Sequence, residues 1–325
     1  MNSNTVMDGA LQKKRVLITG ANGFIGSHLL KRLLSCGADT AALVRKSADL
    51  WRLGDYCRNV RLIKGDLRDP HSFSREIAAF KPEYVFHLAA YGANYMHQDI
   101  MSAVSVNTVG IVNLIQAIKN IPCRKLINVG SGLEYGKIEG AITEDTVPRP
   151  AGVYGSTKAA ATLIAHQMAS ENNIGIVTLR PFAVFGEAED RTKFFCHVIL
   201  SLLENKDVAL TGCEQHRDFC YVENTIDGIM LAAKSDHVDN EIFNIAGGAS
   251  YPLKHYVELI FKYTKSNRRP LYGAIPYRKN EIWYPLPRTS KIKSLLTWEP
   301  RVPLEEGIKK TIEWYKKNHH LYSAG

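Results

Sequence analysis

The sequence lacks most of the features that indicate a metal site, a secreted protein or a membrane span. Its six cysteines form no Cys-x-x-Cys pair, and none is spaced from histidine as zinc ligands are. No apolar run is long enough to cross a bilayer, and residues 1–12 are polar, with no signal-peptide core. We therefore expect no metal, no membrane contact and a cytoplasmic location in which the thiols stay reduced.

Acidic residues are in the minority, with 32 Asp and Glu against 41 Lys and Arg and a formal net charge of +9. The basic residues are scattered rather than gathered in one stripe, so nucleic acid is not expected as a partner. A solvated basic surface, or the binding of anionic small molecules, explains the excess of basic residues as well as nucleic acid would. The sequence contains no repeat and no low-complexity segment.

The most informative segment that is present spans residues 16–30. An apolar run at 16–19 predicts a buried strand, and a helical apolar pattern follows the glycines Gly20, Gly23 and Gly26. A strand, a glycine-rich turn and a helix in this order let the backbone approach a pyrophosphate at the helix N-terminus. We therefore predict that this segment binds a dinucleotide.

Strand-like and helical patterns alternate over the first 180 residues of the chain. Strands are predicted at 15–19, 40–44, 60–64, 84–88, 125–130 and 176–179, and helices at 23–36, 70–80, 102–120 and 156–172. This alternation predicts an α/β fold with a Rossmann-type, doubly wound parallel sheet. We expect a flexible arm (1–13), a dinucleotide-binding domain (14–180) and a smaller C-terminal α/β substrate lobe (181–325), some elements of which could return to the sheet.

Three residues form a candidate acid–base site. Tyr154 and Lys158 are four residues apart, which places them on one face of a helix. An ammonium beside a phenol favours the phenolate, so we expect Lys158 to lower the pKa of Tyr154 from about 10. Ser131 follows the strand at 125–130, where its hydroxyl could bond a substrate oxygen. Taken alone, the Tyr154 and Lys158 spacing is equally explained as an exposed pair on a helix, and Ser131 is equally explained as an ordinary turn residue.

Together with the glycine segment, these residues resemble the extended short-chain dehydrogenase/reductase family, the nucleotide-sugar epimerase/dehydratase/reductase group. The resemblance extends from about residue 14 to residue 318 and implies a nicotinamide cofactor and a nucleotide diphosphate sugar as substrate. It implies cofactor contacts for Gly20, Asn22, Gly23, Phe24, Ile25, Gly26, Asp66, Leu67, Leu88, Ala89, Ala90, Asn107, Tyr154, Lys158, Pro181 and Val184.

The resemblance also implies roles on the substrate side. Ser131, Tyr154 and Lys158 would be catalytic, and Ser131 would also touch the sugar. Arg217 lies in an Arg-Asp-Phe motif that commonly holds the diphosphate, and Arg278 and Glu281 match a pair that clamps the nucleotide. Glu134 has two interpretations, a contact with the sugar or a buried turn acid bonded to backbone amides.

Two departures from the family pattern narrow the expected chemistry. The family's dehydratases carry an acidic pair after the serine position, but this chain has Gly132 and Leu133 there, so dehydration is not expected. NAD-binding members place an acid at the end of the second strand, where this chain has Val44 followed by Arg45. The Arg45 guanidinium suits a 2′-phosphate, which favours NADP(H) over the alternative, NAD(H).

The leading hypothesis is an NADPH-dependent reductase of a nucleotide-linked 4-keto-6-deoxyhexose in deoxysugar or polysaccharide precursor biosynthesis. The alternative is a nucleotide-sugar epimerase, such as a 4-epimerase, that holds NAD tightly. A non-catalytic dinucleotide sensor is a third candidate, against which the intact Ser131, Tyr154 and Lys158 set argues. In this family, helices like those at 102–120 and 156–172 pair across a two-fold axis, which implies a homodimer. The base, the sugar and the product stereochemistry stay open.

Overall fold

The computed structural model describes residues 9–93, 99–138, 140–278 and 281–322. In chain order its strands are β1 (Arg15–Thr19), β2 (Asp39–Val44), β3 (Arg61–Lys64), β4 (Tyr84–His87), β5 (Lys125–Val129), β6 (Gly140–Ile142), β7 (Gly175–Pro181), β8 (Ala183–Phe185), β9 (Val208–Ala209), β10 (His216–Arg217), β11 (Phe219–Tyr221), β12 (Glu241–Ile245), β13 (Tyr251–Pro252), β14 (Pro270–Leu271) and β15 (Pro285–Pro287).

The helices alternate with these strands over most of the chain. They are α1 (Phe24–Ser35), α2 (Ser74–Phe80), α3 (Ile100–Ala103), α4 (Gly110–Ile118), α5 (Val153–Glu171), α6 (Phe194–Leu203), α7 (Val222–Lys234), α8 (Leu253–Thr264), α9 (Ser290–Leu296) and α10 (Leu304–Asn318). A π-helical segment, Val104–Val109, joins α3 to α4. Short 3₁₀ turns lie at Gly9–Leu11, Gly54–Asn59, Pro70–Ser72, Gly132–Glu134 and His319–Tyr322.

A parallel seven-stranded sheet in the order β12-β7-β5-β4-β1-β2-β3 forms the centre of the fold. Alternate residues of a strand point to opposite faces, so β1 contributes to two separate hydrophobic clusters. Val16 and Ile18 pack on one face with Leu29 of α1, and Leu17 packs on the other with Ile111 of α4. Both faces are therefore covered by helices, which confirms the predicted doubly wound α/β architecture.

The predicted elements agree closely with the structure. All six predicted strands are present, β1 at its predicted bounds and the others within two residues at each end. The predicted helix at 70–80 is divided into a 3₁₀ turn and α2, because Phe73 between them leaves the helical backbone conformation. At the N-terminus, Leu11 of the predicted arm is fully buried, and residues 1–8 lie outside the described residues.

The C-terminal half of the chain returns to the large sheet. The outer strand β12 pairs in parallel with β7, and α7 packs against α1. The strand β15 pairs with β6, which joins the end of the chain to the segment after the fifth strand. The C-terminal lobe and the sheet are therefore interwoven beyond residue 180.

One helical stretch, Ile100–Ile118, differs from the expectation that no apolar run could cross a bilayer. By length and composition alone it qualifies, with a mean hydropathy of 1.5 over its window, one third of which is buried. Core helices of soluble proteins meet the same criterion. In this fold Leu114 and Ile118 are fully buried beneath α2 and α5, so at least this face of the stretch belongs to the protein core.

Candidate active site

A cavity of about 790 Å³ opens at the carboxyl ends of the parallel strands. This is the edge at which open α/β sheets bind their ligands. Of the residues that the sequence predicts for the site, those that line the cavity are Gly20, Asn22, Gly23, Phe24, Ile25, Gly26, Arg45, Asp66, Leu67, Leu88, Ala89, Ala90, Ser131, Tyr154, Lys158, Pro181 and Val184. Asn107, Glu134, Arg217, Arg278 and Glu281 do not line it.

The turn between β1 and α1 is shaped by its glycines. Gly20 has a φ of +72°, and a Cβ there would lie 2.6 Å from the backbone nitrogen of Ala89. The Gly23 N–H donates to the Gly20 carbonyl at 3.0 Å, which closes the turn before α1 begins. No side chain caps Gly23, so the first amides of α1 face the cavity as donors for an anion. The turn fits the pyrophosphate of a dinucleotide.

The end of β4 is fixed against β1 by hydrogen bonds from Thr19. Its carbonyl accepts from the Leu88 N–H at 3.1 Å, and its hydroxyl oxygen accepts from the Ala89 N–H at 3.2 Å. The same hydroxyl lies 2.8 Å from Nδ1 of His87, which is buried. Burial lowers the pKa of His87 to about 3, so the ring is neutral at pH 7.

At the distal end of the cavity, the side chain expected to contact adenine is held in an ion pair. Arg68 forms two hydrogen bonds to the Asp66 carboxylate, at 3.0 and 2.7 Å. These hydrogen bonds lower the pKa of Asp66, and the positive charge of Arg45 adds to the effect. Arg45 is exposed at the cavity wall, whereas the preceding Val44 is buried. Two guanidinium groups thus border this end of the cavity beside Asp66, and the residue that ends β2 is Val44 rather than an acid.

Ser131 begins the 3₁₀ turn Gly132–Glu134 as its N-cap. The Ser131 hydroxyl oxygen accepts from the Leu133 N–H at 3.1 Å, and the Glu134 carboxylate accepts from the Ser131 N–H at 2.8 Å. This reciprocal capping box fixes Ser131 at the wall of the cavity. Glu134 itself is completely buried. The structure therefore favours the interpretation of Glu134 as a turn acid bonded to backbone.

Tyr154 and Lys158 lie on the first turns of α5 and face the same cavity. The Tyr154 hydroxyl is hydrogen-bonded to the Ser131 side chain. The Lys158 ammonium is buried and donates to the Val129 carbonyl at 2.6 Å. The sequence-derived triad is thus assembled from the end of β5 and the beginning of α5, which ties its geometry to rigid elements.

The pKa of Tyr154 differs from the expectation. Burial raises it to about 12, with a further upward contribution from Glu134, although the hydrogen bond from Ser131 acts in the opposite direction. The predicted lowering by Lys158 is not found, and the ammonium instead donates to the Val129 carbonyl. Burial also lowers the pKa of Lys158 to about 8. At neutral pH the site therefore holds a protonated phenol beside an ammonium.

Asn107, expected to contact the cofactor, acts within the protein framework. It lies in the π-helical segment Val104–Val109 and is buried. Its side-chain amide donates to the Tyr91 carbonyl and to the Thr157 hydroxyl oxygen, both at 2.9 Å, and accepts from the Tyr91 N–H at 2.7 Å. Asn107 thereby fixes Tyr91, a cavity residue, to the helix that carries Tyr154.

The three residues expected to hold the nucleotide meet in the C-terminal lobe. Arg217 forms an ion pair with Glu281 and donates to the Ile282 carbonyl at 2.7 Å. The positive charge of Arg278 lowers the pKa of Arg217, after burial as the larger cause, so the two guanidinium groups are close. The cluster thus brings two guanidinium groups and the Glu281 carboxylate together.

Two cations in the cavity wall escaped the sequence analysis, Arg52 and Lys193. Arg52 donates to the Ala188 carbonyl at 2.7 Å and stacks on Trp51, and Lys193 donates to the Ala93 carbonyl at 2.6 Å. Arg52 lies between two predicted strands and Lys193 lies beyond residue 180, where no element is predicted, and neither belongs to a motif. Only their positive charge near the expected anion site could have pointed to them.

The fold and the site together define a dinucleotide-binding α/β protein with a serine–tyrosine–lysine set beside the cofactor turn. The sequence profile of the NAD dependent epimerase/dehydratase family matches residues 16–246, more than half of the chain. The chain therefore belongs to this family of nucleotide-sugar-modifying enzymes.

Three similar proteins illustrate the range of this family. The dTDP-D-glucose 4,6-dehydratase of Mus musculus is 29% identical, over 94% of this chain and 90% of its own. The UDP-glucose 4-epimerase of Thermotoga maritima, solved with UDP-glucose, has a TM-score of 0.87 at 27% identity, over 94% of this chain and 99% of its own. The UDP-glucuronic acid 4-epimerase of Bacillus cereus, solved with NAD, has a TM-score of 0.82 at 25% identity, over 93% and 99%.

Proposed function

We propose that the protein is a nucleotide-sugar 4-epimerase that holds a nicotinamide dinucleotide tightly. The observation that carries the proposal is the meeting of Ser131, Tyr154 and Lys158 at the wall of the cavity that the glycine turn also lines. The similarity to 4-epimerases supports this reaction better than the reduction that the sequence first suggested. Dehydration is disfavoured because Gly132 and Leu133 stand where the family's dehydratases carry acids.

In this proposal the chain's own residues move one proton at the sugar hydroxyl. The bound nicotinamide supplies reversible hydride transfer at the sugar carbon. Tyr154 takes the proton from the C4 hydroxyl during oxidation and returns it from its phenol oxygen after the keto sugar has turned. Ser131 holds the C4 oxygen by a hydrogen bond, and the Lys158 ammonium at the same cavity wall is the cation that would bond the nicotinamide ribose.

The raised pKa of Tyr154 favours the step in which the phenol returns the proton. Burial raises the pKa of Tyr154 to about 12, so the phenol is protonated at neutral pH and ready to donate. The forward step needs the phenolate, for which the Ser131 hydrogen bond acts in the right direction. The remote nucleotide, held by Arg217 and Arg278, supplies the binding energy that orients the sugar.

A panel of nucleotide sugars tests the proposal without assuming a base. Purified protein is incubated with UDP-, dTDP-, GDP- and CDP-hexoses without added dinucleotide, and the products are separated and identified by NMR. We expect a 4-epimer from at least one substrate, with no net consumption of cofactor. Release of water to a 4-keto-6-deoxy product, or no conversion of any substrate, would contradict the epimerase assignment.

The second candidate is an NADPH-dependent reductase of a nucleotide-linked 4-keto-6-deoxyhexose. The observation that favours it is the end of β2, where Val44 is buried and the exposed Arg45 lines the cavity. A guanidinium there welcomes a 2′-phosphate by charge and by geometry. Such an enzyme would exchange its cofactor at each turnover, since reduction consumes NADPH.

The cofactor released from denatured protein separates the two candidates. NAD that survives dialysis and appears after denaturation supports the epimerase. Protein that carries no dinucleotide, oxidises added NADPH only when a nucleotide-linked 4-keto sugar is present, and yields no epimer supports the reductase.

We also propose that the protein forms a homodimer in the cytoplasm. Met101, Val109 and Leu163 are 72%, 43% and 67% exposed on helical segments that contact each other. An apolar face of this kind is covered when two copies pair. No disulfide joins the six cysteines, all of which lie in the described residues, and five of them are buried, as is expected of reduced thiols.

A further inference from the structure

Glu134 is a buried acid that the proposed acid–base chemistry does not use. Its side chain is fully buried, and so is that of its ion-pair partner Arg180, with 2.8 Å between Oε2 and Nε. A buried ion pair brings little net stability, because the cost of removing two charges from water offsets their attraction. Net stability therefore does not explain why this ion pair lies directly behind Ser131.

The carboxylate connects three walls of the site. Oε1 accepts from the Ser131 N–H at 2.8 Å and from the Thr162 hydroxyl at 3.3 Å. Thr162 lies four residues beyond Lys158 and eight beyond Tyr154, so all three share one face of α5. Oε2 accepts from Arg180, which precedes the cavity residue Pro181 at the end of β7.

The local sequence is adapted to this carboxylate. A Cβ on Gly130 would overlap Oε1 of Glu134, and a Cβ on Gly132 would lie 2.7 Å from the Phe182 ring. Arg180 is held in turn by the Tyr135 hydroxyl, which accepts at 2.8 Å and donates to Asn244 at 2.8 Å. The Glu134 side chain is thus held in place by close packing at the residues on either side of Ser131.

The charge of Glu134 reaches both titrating members of the triad. Burial, the larger cause, raises the pKa of Tyr154 and lowers the pKa of Lys158. The charge of Glu134 raises both. Burial raises the pKa of Glu134 itself, and Arg180 and Lys158 oppose this. With Arg180, Ser131 and Thr162 donating to its two oxygens, the side chain is a carboxylate at neutral pH.

The other charged or titratable groups around Lys158 and Glu134 come from β4, from β7 and from the turn after β5. His87 at the end of β4 is neutral and is affected by the Lys158 charge. Arg180 on β7 is a second cation on the carboxylate, and Tyr135 is a neutral phenol whose pKa burial raises. Among these groups only Glu134 is an anion. Its loss would leave two buried cations without a counter-charge.

We propose that Glu134 is a positioning residue. Its carboxylate keeps Ser131 at a fixed distance from the face of α5 that carries Tyr154 and Lys158, and it supplies the counter-charge of Lys158. This inference rests on the proposed acid–base role of the triad. The proposal predicts that the substitution Glu134→Gln changes the pKa of Lys158 and the rate of turnover but leaves the affinity for the dinucleotide unchanged.

Titration of Lys158 tests the proposal independently of the reaction. Protein labelled with [ε-¹³C]lysine is titrated by NMR, with the Lys158 signal identified by its loss in Lys158→Met. We expect a midpoint near 8 in the unmodified protein. In Glu134→Gln we expect a midpoint lower by about one pH unit, since an opposing charge has been removed. The matched control is Glu144→Gln, a half-buried acid that accepts the Asn244 N–H at 2.8 Å and touches neither Ser131 nor α5.

Kinetics provide the second measurement. At the pH optimum we expect Glu134→Gln to lower kcat about 100-fold, because a small misplacement of reacting groups has effects of that size. KM and dinucleotide affinity should stay within about twofold, as no contact to either ligand is lost. If Glu134→Gln does not fold, the double variant Glu134→Met/Arg180→Met removes both charges together and keeps the volume.

A folded variant with an unchanged Lys158 midpoint would overturn the proposal, as would an unchanged kcat. A wild-type protein that converts no nucleotide sugar would refute the proposed function instead. The NMR titration would then still decide whether Glu134 is the counter-charge of Lys158.

Discussion

A methyl group added at Gly26 is the most direct perturbation of the cofactor turn. The new Cβ would lie 2.8 Å from the Gly20 carbonyl carbon, 0.6 Å inside the 3.4 Å at which ordinary contact begins, and closer still to the carbonyl oxygen. The backbone φ of Gly26 is ordinary, so strain is not the cause. The turn must therefore open, and the Gly23 N–H to Gly20 carbonyl hydrogen bond of 3.0 Å is the contact that it loses.

The opened turn no longer presents the first amides of α1 at the right positions. Losing one charge-assisted hydrogen bond to phosphate costs about 1.5–3 kcal/mol, which weakens dinucleotide binding about 10- to 100-fold. Overpacking also lowers the free energy of unfolding by about 1–3 kcal/mol. Binding is measured by fluorescence titration of NADH and NADPH, and stability by urea denaturation.

The matched control is Gly9→Ala, since a Cβ at Gly9 meets nothing within 4 Å. This control should leave both affinity and stability unchanged. A Gly26→Ala protein that binds dinucleotide as tightly as the parent would show that the turn does not contact the pyrophosphate. The reasoning from the close approach of Gly26 to Gly20 would then be wrong.

The remaining predictions concern pH, cofactor choice and assembly. His87 has a pKa of about 3 in the fold against 6.5 when unfolded, so the unfolded state binds one more proton between these values. Unfolding free energy should therefore fall by about 2 kcal/mol from pH 7 to pH 5 through this residue alone, a loss that denaturation of His87→Gln should lack. Arg45→Glu should reduce NADPH affinity about tenfold or more while sparing NADH, and equal losses for the two would refute a contact to the 2′-phosphate. Leu163→Arg should convert a dimer to a monomer in light scattering, and an unchanged mass would exclude this face from the interface.

Much of the fold could be predicted because local pattern and tertiary position agree. The strand β1 begins and ends at its predicted residues, since a β-branched apolar run is buried on both faces of a parallel sheet. The return of β12 to the edge of the sheet could not be predicted, because no local pattern in Glu241–Ile245 says which strand it will pair with. The division of the helix near Val104–Val109 by a π-helical segment is likewise a product of packing.

The sequence predicted the site residues that directly follow a strand or that share one face of a helix. Ser131, Tyr154 and Lys158 belong to this group, and all three line the cavity. The predicted direction of the Tyr154 pKa shift was wrong, because spacing reveals neither the burial that raises this pKa nor the hydrogen bond of the Lys158 ammonium to the Val129 carbonyl. The role of Glu134 stayed ambiguous, since its partner Arg180 is 46 residues away in sequence.

The most direct test of the account is the turnover of Tyr154→Phe. This variant keeps the ring that packs in the cavity wall and removes only the hydroxyl bonded to Ser131. With the nucleotide sugar that the panel identifies, we predict a kcat at least 100-fold lower and a dinucleotide Kd within about twofold of the parent. A Tyr154→Phe protein that turns over at the parent rate would contradict the account.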